Sequence, residues 1–211
     1  FTGRNYVLPR TGQRGIPVIS VNVDRVKVEI FRVGNRNLAP QIVAGEFQRQ
    51  LSGDDVDRLR DTTGAQVFTG EMAVKNTLNA DVTTAFPLDE AIRQMAPGVY
   101  VMVARPASGE PVSWDAQATQ WFIVSDLGLT AIAGEDGLHA LVRSLASAKP
   151  LEKVTLRLIA RNNEVLGTAT TDAGGFALFP AGLTHGSGGN APVLLSAVGA
   201  DGDYGFLSLT Q

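Results

Sequence analysis

The 211-residue sequence contains no cysteine and only two histidines, His139 and His185. The absence of cysteine excludes disulfides, thiolate metal sites, iron–sulfur clusters and cysteine nucleophiles from this chain. Two histidines are too few for a multi-histidine metal site. The sequence therefore predicts neither a metal site nor a cofactor.

The chain also lacks a large excess of positive or negative charge and lacks long apolar runs. Lys and Arg number 18 against 21 Asp and Glu, the net charge is −3, and no dense basic run occurs, which argues against a nucleic-acid partner. No run of 18 uncharged apolar residues and no signal peptide is present, so we expect no direct membrane insertion by this chain. Because the first residue is Phe, we expect a processed chain or a piece of a longer one.

Hydrophobic residues make up 44% of the chain, which is enough for packed cores and excludes a disordered tail. In the first half, alternation of apolar and polar residues predicts two strands joined tightly at Asp24-Arg25. Further strands are predicted at Gly70–Val74, Asp81–Phe86, Gly98–Arg105 and Thr119–Ser125.

Two short helices interrupt these strands. Ser52 and Asp55 have the spacing of a capping box, which predicts a helix over Gly53–Asp61. After Pro87, an apolar face formed by Leu88, Ala91, Ile92 and Met95 predicts a second helix that ends at Pro97-Gly98. We interpret both helices as caps over the open ends of a sandwich rather than as catalytic elements.

The second half has short apolar segments every 8–12 residues, a spacing that is typical of a β-sandwich. Seven strands are predicted: Leu127–Ala133, Leu138–Ser144, Val154–Arg161, Glu164–Thr171, Gly175–Phe179, Pro192–Gly199 and Tyr204–Leu209. Asn162-Asn163 predicts a two-residue hairpin loop, and the glycines of Asp172–Gly175 suit a turn with positive φ. We expect Thr171–Phe176 to form a hairpin in which the aromatic Phe176 returns to the core.

These patterns predict an all-β protein with two tandem antiparallel β-sandwich domains. The first, over residues 1–125, carries the short helices, and the second, over residues 126–211, has seven strands. No Pro- or Ser-rich linker separates them at Ser125-Asp126. We therefore expect the two domains to form a rigid tandem.

Candidate catalytic and anion-binding residues are weak. His185 and Ser187 lie in a glycine-rich segment, but the order differs from a nucleophile elbow and no helix follows, so a loop is the better interpretation. His139 is expected to point outward from its strand beside Ala140. No Walker-type or Gly-x-Gly-x-x-Gly phosphate motif occurs, and Gly182–Gly189 lacks a helix N-terminus.

Paired carboxylates occur at Asp54-Asp55 and Asp89-Glu90, in the first turns of predicted helices, where they complement the helix dipole. Asp201-Gly202-Asp203 has too few oxygen ligands for calcium and predicts a hairpin turn. No catalytic, cofactor-binding or metal-binding residue is therefore assigned, and the chain is not expected to be an enzyme.

Several segments recur together in one order, and they resemble the macroglobulin domains of the bacterial alpha-2-macroglobulin family. The resemblance covers nearly the whole chain, and the segment 120–129 resembles a junction between two such domains. The matching segments are 6–12, 20–23, 97–100, 120–129, 150–156, 162–176, 191–195 and 202–209.

The resemblance implies a broad-spectrum protease inhibitor of the periplasm that changes conformation after a protease cuts its bait region. Many members also acylate the protease through a thioester of cysteine and glutamine. This chain has no cysteine and no segment like a bait region. The resemblance therefore implies two scaffold domains, with the neighbouring macroglobulin domains of the parent chain as partners and target proteases as partners of the full-length protein.

The family resemblance also implies a lipoprotein, anchored to the inner membrane through a lipidated N-terminus outside this chain. The alternative hypothesis is a β-sandwich array of a bacterial surface adhesion or carbohydrate-binding protein. The surrounding gene separates the two, since near-identical repeats with a cell-wall anchor indicate adhesion. Which proteases are trapped, and whether the parent has a thioester, stay open.

Overall fold

A computed structural model describes residues 7–8, 15–34, 37–87, 95–107 and 116–210. The strands are β1 Val7–Leu8, β2 Ile16–Ser20, β3 Arg25–Val33, β4 Gly64–Ala73, β5 Val82–Phe86, β6 Gly98–Pro106, β7 Ala118–Val124, β8 Leu127–Gly134, β9 Gly137–Ser144, β10 Thr155–Ala160, β11 Val165–Thr170, β12 Phe176–Pro180, β13 Pro192–Val198 and β14 Tyr204–Ser208. The α-helices are α1 Leu38–Val43 and α2 Gly53–Arg58.

The chain divides into two compact units. The first comprises Phe1–Gly34, Glu46–Met95 and Val99–Ile123, and the second comprises Asn35–Gly45, Ala96–Gly98 and Val124–Gln211. Antiparallel strand pairs form sheets in both units, so the predicted all-β class with β-sandwich architecture is confirmed.

The first unit contains a five-stranded sheet in the order β1-β7-β6-β3-β4 and a two-stranded sheet of β2 and β5. β6 lies at the centre of the larger sheet and its first seven residues are buried. Its sequence is nearly continuous in β-branched and apolar residues because both of its faces are covered. The alternating β3 is paired with β4 on one side and β6 on the other.

Aromatic side chains fill the core of the first unit. Tyr100 on β6 stacks on Phe122 on β7, with ring centroids 5.4 Å apart. Phe68 on β4 and Phe86 on β5 meet edge to face at 5.6 Å, which joins the two sheets. The strands predicted on either side of Asp24 are β2 and β3, and they lie in different sheets.

The helix predicted over Gly53–Asp61 is confirmed with a modified end. Its capping box is present: the Ser52 hydroxyl accepts a bond from the Asp55 N–H, and the Asp55 carboxylate accepts one from the Ser52 N–H. After Arg58 the chain widens into a π-helical turn, Leu59–Thr63. Of the predicted second helix, Leu88, Ala91 and Ile92 lie outside the described residues.

The second unit is a sandwich of a four-stranded sheet, β11-β10-β13-β14, and a three-stranded sheet, β12-β9-β8. All seven predicted strands are present, and no end differs from its predicted position by more than one residue. Leu127, Val142, Leu156, Phe179 and Leu195 are among the buried residues that form its core.

The structure corrects three local expectations from the sequence in the second unit. The loop between β10 and β11 has three residues, because Ala160 N–H donates to the Glu164 carbonyl, with Asn163 at φ +69°. The turn at Asp172–Gly175 joins strands of different sheets. The aromatic Phe176, expected to return to the core, is 54% exposed.

Two further elements differ from the expectations in the first half of the chain. β4 begins six residues before the predicted Gly70, since its first residues are mostly exposed and show no clean alternation. Helix α1 gives little periodic signal, because it has six residues and contains Pro40 in its first turn, where a missing N–H is tolerated. Leu38, Ala39 and Ile42 of α1 are buried.

Candidate functional site

The glycine-rich segment around His185 and Ser187 forms an exposed loop that includes a short 3-10 turn, Gly188–Asn190. Within the part of the chain that the structure describes, no hydrogen bond joins the imidazole of His185 to the hydroxyl of Ser187. The two side chains are not arranged as a nucleophile and its base, which would lie within hydrogen-bond reach.

His139 points outward from β9 as predicted, and its neighbour Ala140 is buried. The His139 Nε2 atom lies 2.8 Å from the Asp136 Oδ1 atom, and this hydrogen bond holds the pKa of the Asp136 carboxyl below its usual value. Both side chains are exposed, so this surface hydrogen bond has a small energetic weight.

Asp203 is a structural residue of the β13–β14 hairpin. Its Oδ1 atom accepts a 2.8 Å bond from the Ser125 hydroxyl, and its Oδ2 atom accepts a 2.9 Å bond from the Asp126 N–H. The Ser125 hydroxyl also accepts a bond from the Leu127 N–H. Both carboxylate oxygens thus fix the start of β8. In the described ranges no group of three or more His, Cys, Asp or Glu residues is suited to hold a metal ion.

The carboxylate of Asp55 closes the α2 capping box and receives bonds from Arg49 and Arg58. Burial would raise the pKa of Asp55, but the hydrogen bonds from Ser52 and the two arginine charges outweigh burial and lower it. Asp54 and Asp55 both lie in the first turn of α2, as predicted, and Asp55 also caps the helix. Asp89-Glu90 lies outside the described residues.

Glu29 on β3 is a buried carboxylate with compensated charge. Its Oε1 atom lies 3.5 Å from Lys27 Nζ, and its Oε2 atom lies 3.3 Å from Arg60 Nη2. Arg60 also pairs with Asp57 and covers the ring of Phe31, 5.8 Å from its centroid. The cluster fixes the π-helical turn on β3, so the burial of Glu29 has a structural explanation.

A groove in the first unit was not predicted from the sequence. Its volume is about 260 Å³, and its walls are mainly apolar. The lining residues come from β2 and the segment after it, from the start of β3, from the end of β6 and from the start of β7: Val18, Ile19, Ser20, Val21, Val23, Val26, Ala104, Arg105, Pro106, Ala116, Gln117 and Ala118.

Two polar residues stand out on the groove walls. The guanidinium of Arg105 is half-buried and donates from Nε and Nη2 to the Gln117 Oε1 atom, at 3.0 and 2.8 Å. No carboxylate among the described residues forms an ion pair with Arg105. Ser20 is 8% exposed, and its buried hydroxyl oxygen has no hydrogen-bond partner among the residues that the structure describes. The groove therefore combines apolar walls with an unpaired positive charge.

A network of side-chain bonds holds the wall that carries Gln117. Gln117 Nε2 donates to the Leu51 carbonyl, and the Leu51 N–H donates to the Thr119 hydroxyl. Gln50 bridges the same two segments, donating to the Gln117 carbonyl and accepting from the Thr119 N–H. Arg105 is thus oriented by an amide that is itself fixed. Pro17 inside β2 was the available sequence signal, since proline in a strand indicates a sheet edge.

No helix within the described ranges has the length and apolar character needed to cross a membrane.

Comparison with known proteins assigns both halves of the chain. Residues 1–120 match the model of the bacterial alpha-2-macroglobulin MG2 domain, and residues 124–211 match that of the MG3 domain. The chain is 31% identical over 208 residues to alpha-2-macroglobulin from Xylella fastidiosa (strain Temecula1), an alignment that covers 95% of this chain and 12% of that protein.

Solved structures share the fold of this chain. The chain is similar to trypsin-activated alpha-2-macroglobulin from Escherichia coli, with a TM-score of 0.76 and 26% identity over 98% of this chain and 13% of that one. It shares its fold with the NIE-MG1 fragment of native Escherichia coli alpha-2-macroglobulin, with a TM-score of 0.75 and 23% identity over 99% of this chain and 95% of that one.

The chain spans 12% of the length of the Xylella relative and has a match to one family model on each side of residue 122. The first model alone covers more than half of the chain. The chain therefore belongs to the bacterial alpha-2-macroglobulin family and contributes two consecutive macroglobulin domains.

Proposed function

We propose that this chain is a scaffold region of a broad-spectrum protease-trapping inhibitor. The observation that carries the proposal is the end-to-end match of two consecutive macroglobulin domain models. The absence of cysteine supports a scaffold role rather than a capturing one, since this chain cannot supply a thioester sulfur. Bait cleavage and covalent capture then belong to other parts of the parent chain.

Catalysis by the chain itself is not part of this proposal. The exposed loop at His185 lacks a nucleophile–base contact, and Glu29 and Asp203 have structural partners. Labelling of Ser187 by a serine-directed probe, or stoichiometric zinc or calcium in the purified chain, would contradict a non-enzymatic role.

We further propose that the domain boundary lies beside residues 125 and 126, with Ser125 in the second domain. The support is local: the Ser125 hydroxyl and the Asp126 N–H both bond to Asp203, a residue of the second unit. The limits of the two family models, at residues 120 and 124, also lie near this boundary. Expression of residues 126–211 and of residues 124–211 tests it, because truncation of Ser125 removes a buried partner of Asp203 and should lower the melting temperature.

Protease trapping is testable on the parent protein. The purified parent should protect a large protein substrate from several proteases and leave cleavage of small peptides intact, while the 211-residue chain alone should give no protection. Full protection by the chain alone would contradict the scaffold proposal, and no protection by the parent would contradict trapping.

A matched pair of glycine variants in the parent links the scaffold to the activity. At Gly175 (φ +78°) an added Cβ would lie 2.4 Å from the Val142 carbonyl oxygen, whereas at Gly182 it would meet nothing within 4 Å. Gly175→Ala should therefore reduce protection through misfolding of this domain, and Gly182→Ala should not.

We propose the periplasm as the location of the parent, anchored to the inner membrane through a lipidated N-terminus outside this chain. Neighbouring macroglobulin domains and target proteases are its proposed partners. Release of the parent by osmotic shock would support a periplasmic location without the anchor, and retention in the inner-membrane fraction would support both. The family match disfavours the alternative of a surface adhesion array.

A further inference from the structure

Strand β2 has one paired edge and one unpaired edge. It pairs with β5 from Ile16↔Phe86 to Ser20↔Val82, and in the described part of the chain no other strand adjoins it. Backbone N–H and C=O groups of a strand point alternately to its two edges, so the second edge presents groups without a strand partner. Pro17 near the start of β2 is compatible with this edge because it has no N–H to satisfy.

The groove of the first unit follows that unpaired edge. Four consecutive residues, Val18 to Val21, contribute to its wall. A cavity over one face of a strand is lined by alternate residues, whereas a cavity beside the strand is lined by consecutive ones. The facing wall consists of two further consecutive runs, Ala104–Pro106 and Ala116–Ala118. The groove is thus a slot between an open strand edge and the ends of β6 and β7.

We infer that this slot binds an extended, acidic-and-apolar segment of the parent chain by strand addition to β2. An added strand gains main-chain hydrogen bonds from the edge, and its alternate side chains enter the apolar slot. Binding at this slot depends on a longer parent chain but not on protease trapping.

The acidic character of the segment follows from Arg105. Arg105 lines the slot, its guanidinium bonds to Gln117, another lining residue, and it has no carboxylate partner in the described residues. Two of its nitrogens share one amide oxygen, which leaves N–H groups available for a carboxylate. A half-buried arginine forms its strongest hydrogen bonds with such a group.

The small volume of the slot indicates that the bound segment belongs to the parent chain. A slot of about 260 Å³ receives only a few side chains, less than the usual small-molecule pocket. Such a contact is weak between separate molecules but is populated when both partners belong to one polypeptide, because tethering raises the effective concentration to the millimolar range. The Xylella relative contains the remaining 88% of such a polypeptide, outside the region aligned here.

The first test uses the 211-residue chain, labelled with ¹⁵N, and the blocked peptide acetyl-Thr-Val-Glu-Val-Thr-amide. We expect saturable shifts of the amide signals of residues 18–21 at millimolar peptide. Replacing the central glutamate of the peptide with glutamine should weaken binding about tenfold. Replacing the same residue with proline should abolish binding. If the amide signals do not shift at about 10 mM peptide, ten times the effective concentration of about 1 mM that tethering provides, the proposed strand addition is overturned.

Arg105→Gln should weaken glutamate-peptide binding as much as the glutamine peptide does, and Arg105→Lys should retain part of it. Arg143→Gln, in the other unit, is the matched control and should have no effect. Equal binding by Arg105→Gln and the control overturns the role of Arg105. Melting curves of each variant identify any loss of folding.

The second test compares hydrogen exchange at residues 18–21 in the parent and in the 211-residue chain. We expect exchange about tenfold slower in the parent, because an added strand protects edge amides, and Arg105→Gln in the parent should restore the faster rate. Equal rates in both proteins, together with peptide binding, overturn the parent-chain occupant in favour of an external peptide. The protease-protection assay is independent of both readouts, so failure here is distinguishable from failure of the proposed function.

Discussion

Replacing Asp203 with alanine should destabilise the second unit, since this carboxylate holds the start of β8. It accepts bonds from the Ser125 hydroxyl at 2.8 Å and the Asp126 N–H at 2.9 Å, and Ser125 is fully buried. Hydrogen bonds to a charged group contribute about 1.5–3 kcal/mol each, and water replaces part of the loss at Asp126. We expect Asp203→Ala to cost about 2–4 kcal/mol and to lower the melting temperature by about 10 °C or more.

The assay follows thermal unfolding by far-UV circular dichroism and by tryptophan fluorescence. Both tryptophans precede residue 124, so their fluorescence reports on the first unit and provides an internal reference. The melting temperature of Asp203→Asn should lie between those of Asp203→Ala and the wild type, because the amide oxygen of asparagine still accepts a hydrogen bond. Glu152→Ala is the surface control, with an expected effect within about 0.5 kcal/mol. An Asp203→Ala transition indistinguishable from that of Glu152→Ala would refute the reasoning.

Three further predictions concern local backbone and capping. Gly175→Ala should destabilise the second unit by about 2 kcal/mol or more, because it combines positive φ with a close approach to Val142, whereas Gly182→Ala should stay within about 0.5 kcal/mol in urea denaturation. Ser52→Ala should cost the first unit about 1 kcal/mol, and Ser52→Thr much less, by the same measurement followed through tryptophan fluorescence; equal losses would contradict the capping box. The pKa of Asp55 is lower in the folded than in the unfolded chain. The contribution of the Asp55 carboxylate to folding stability is therefore complete above the unfolded pKa and is lost as pH falls through the folded pKa. The stability difference between wild type and Asp55→Asn should therefore shrink from pH 6 towards pH 3, and a constant difference would contradict it.

Local patterns predicted most elements of the fold. The seven strands of the second unit follow from alternation and turn residues, and the α2 capping box follows from the spacing of Ser52 and Asp55. These features depend on neighbours within a few residues, and the chain order preserves them. Helix α1 and the early start of β4 were missed because short or two-sided exposed elements carry little periodic signal.

Sheet membership could not be predicted in the same way. β2 and β3 are neighbours in sequence but pair with different strands, and the turn at Asp172 joins two sheets. Alternation states which face of a strand is buried but not which strand lies beside it. For the same reason the exposure of Phe176 was opposite to the expectation for an aromatic residue after a turn.

The amino-acid sequence by itself determined the all-β class, the strands, the absence of thiol chemistry and the family. Only the tertiary structure decided that, among the described residues, β2 has an open edge and Arg105 lines the groove beside it without a carboxylate partner. It alone also decided that Asp203 bonds to Ser125, 78 positions away. The physical reason is the distance along the chain between the residues that interact. Backbone propensity and turn chemistry act between near neighbours, whereas a groove and a buried hydrogen bond depend on which distant segments pack together.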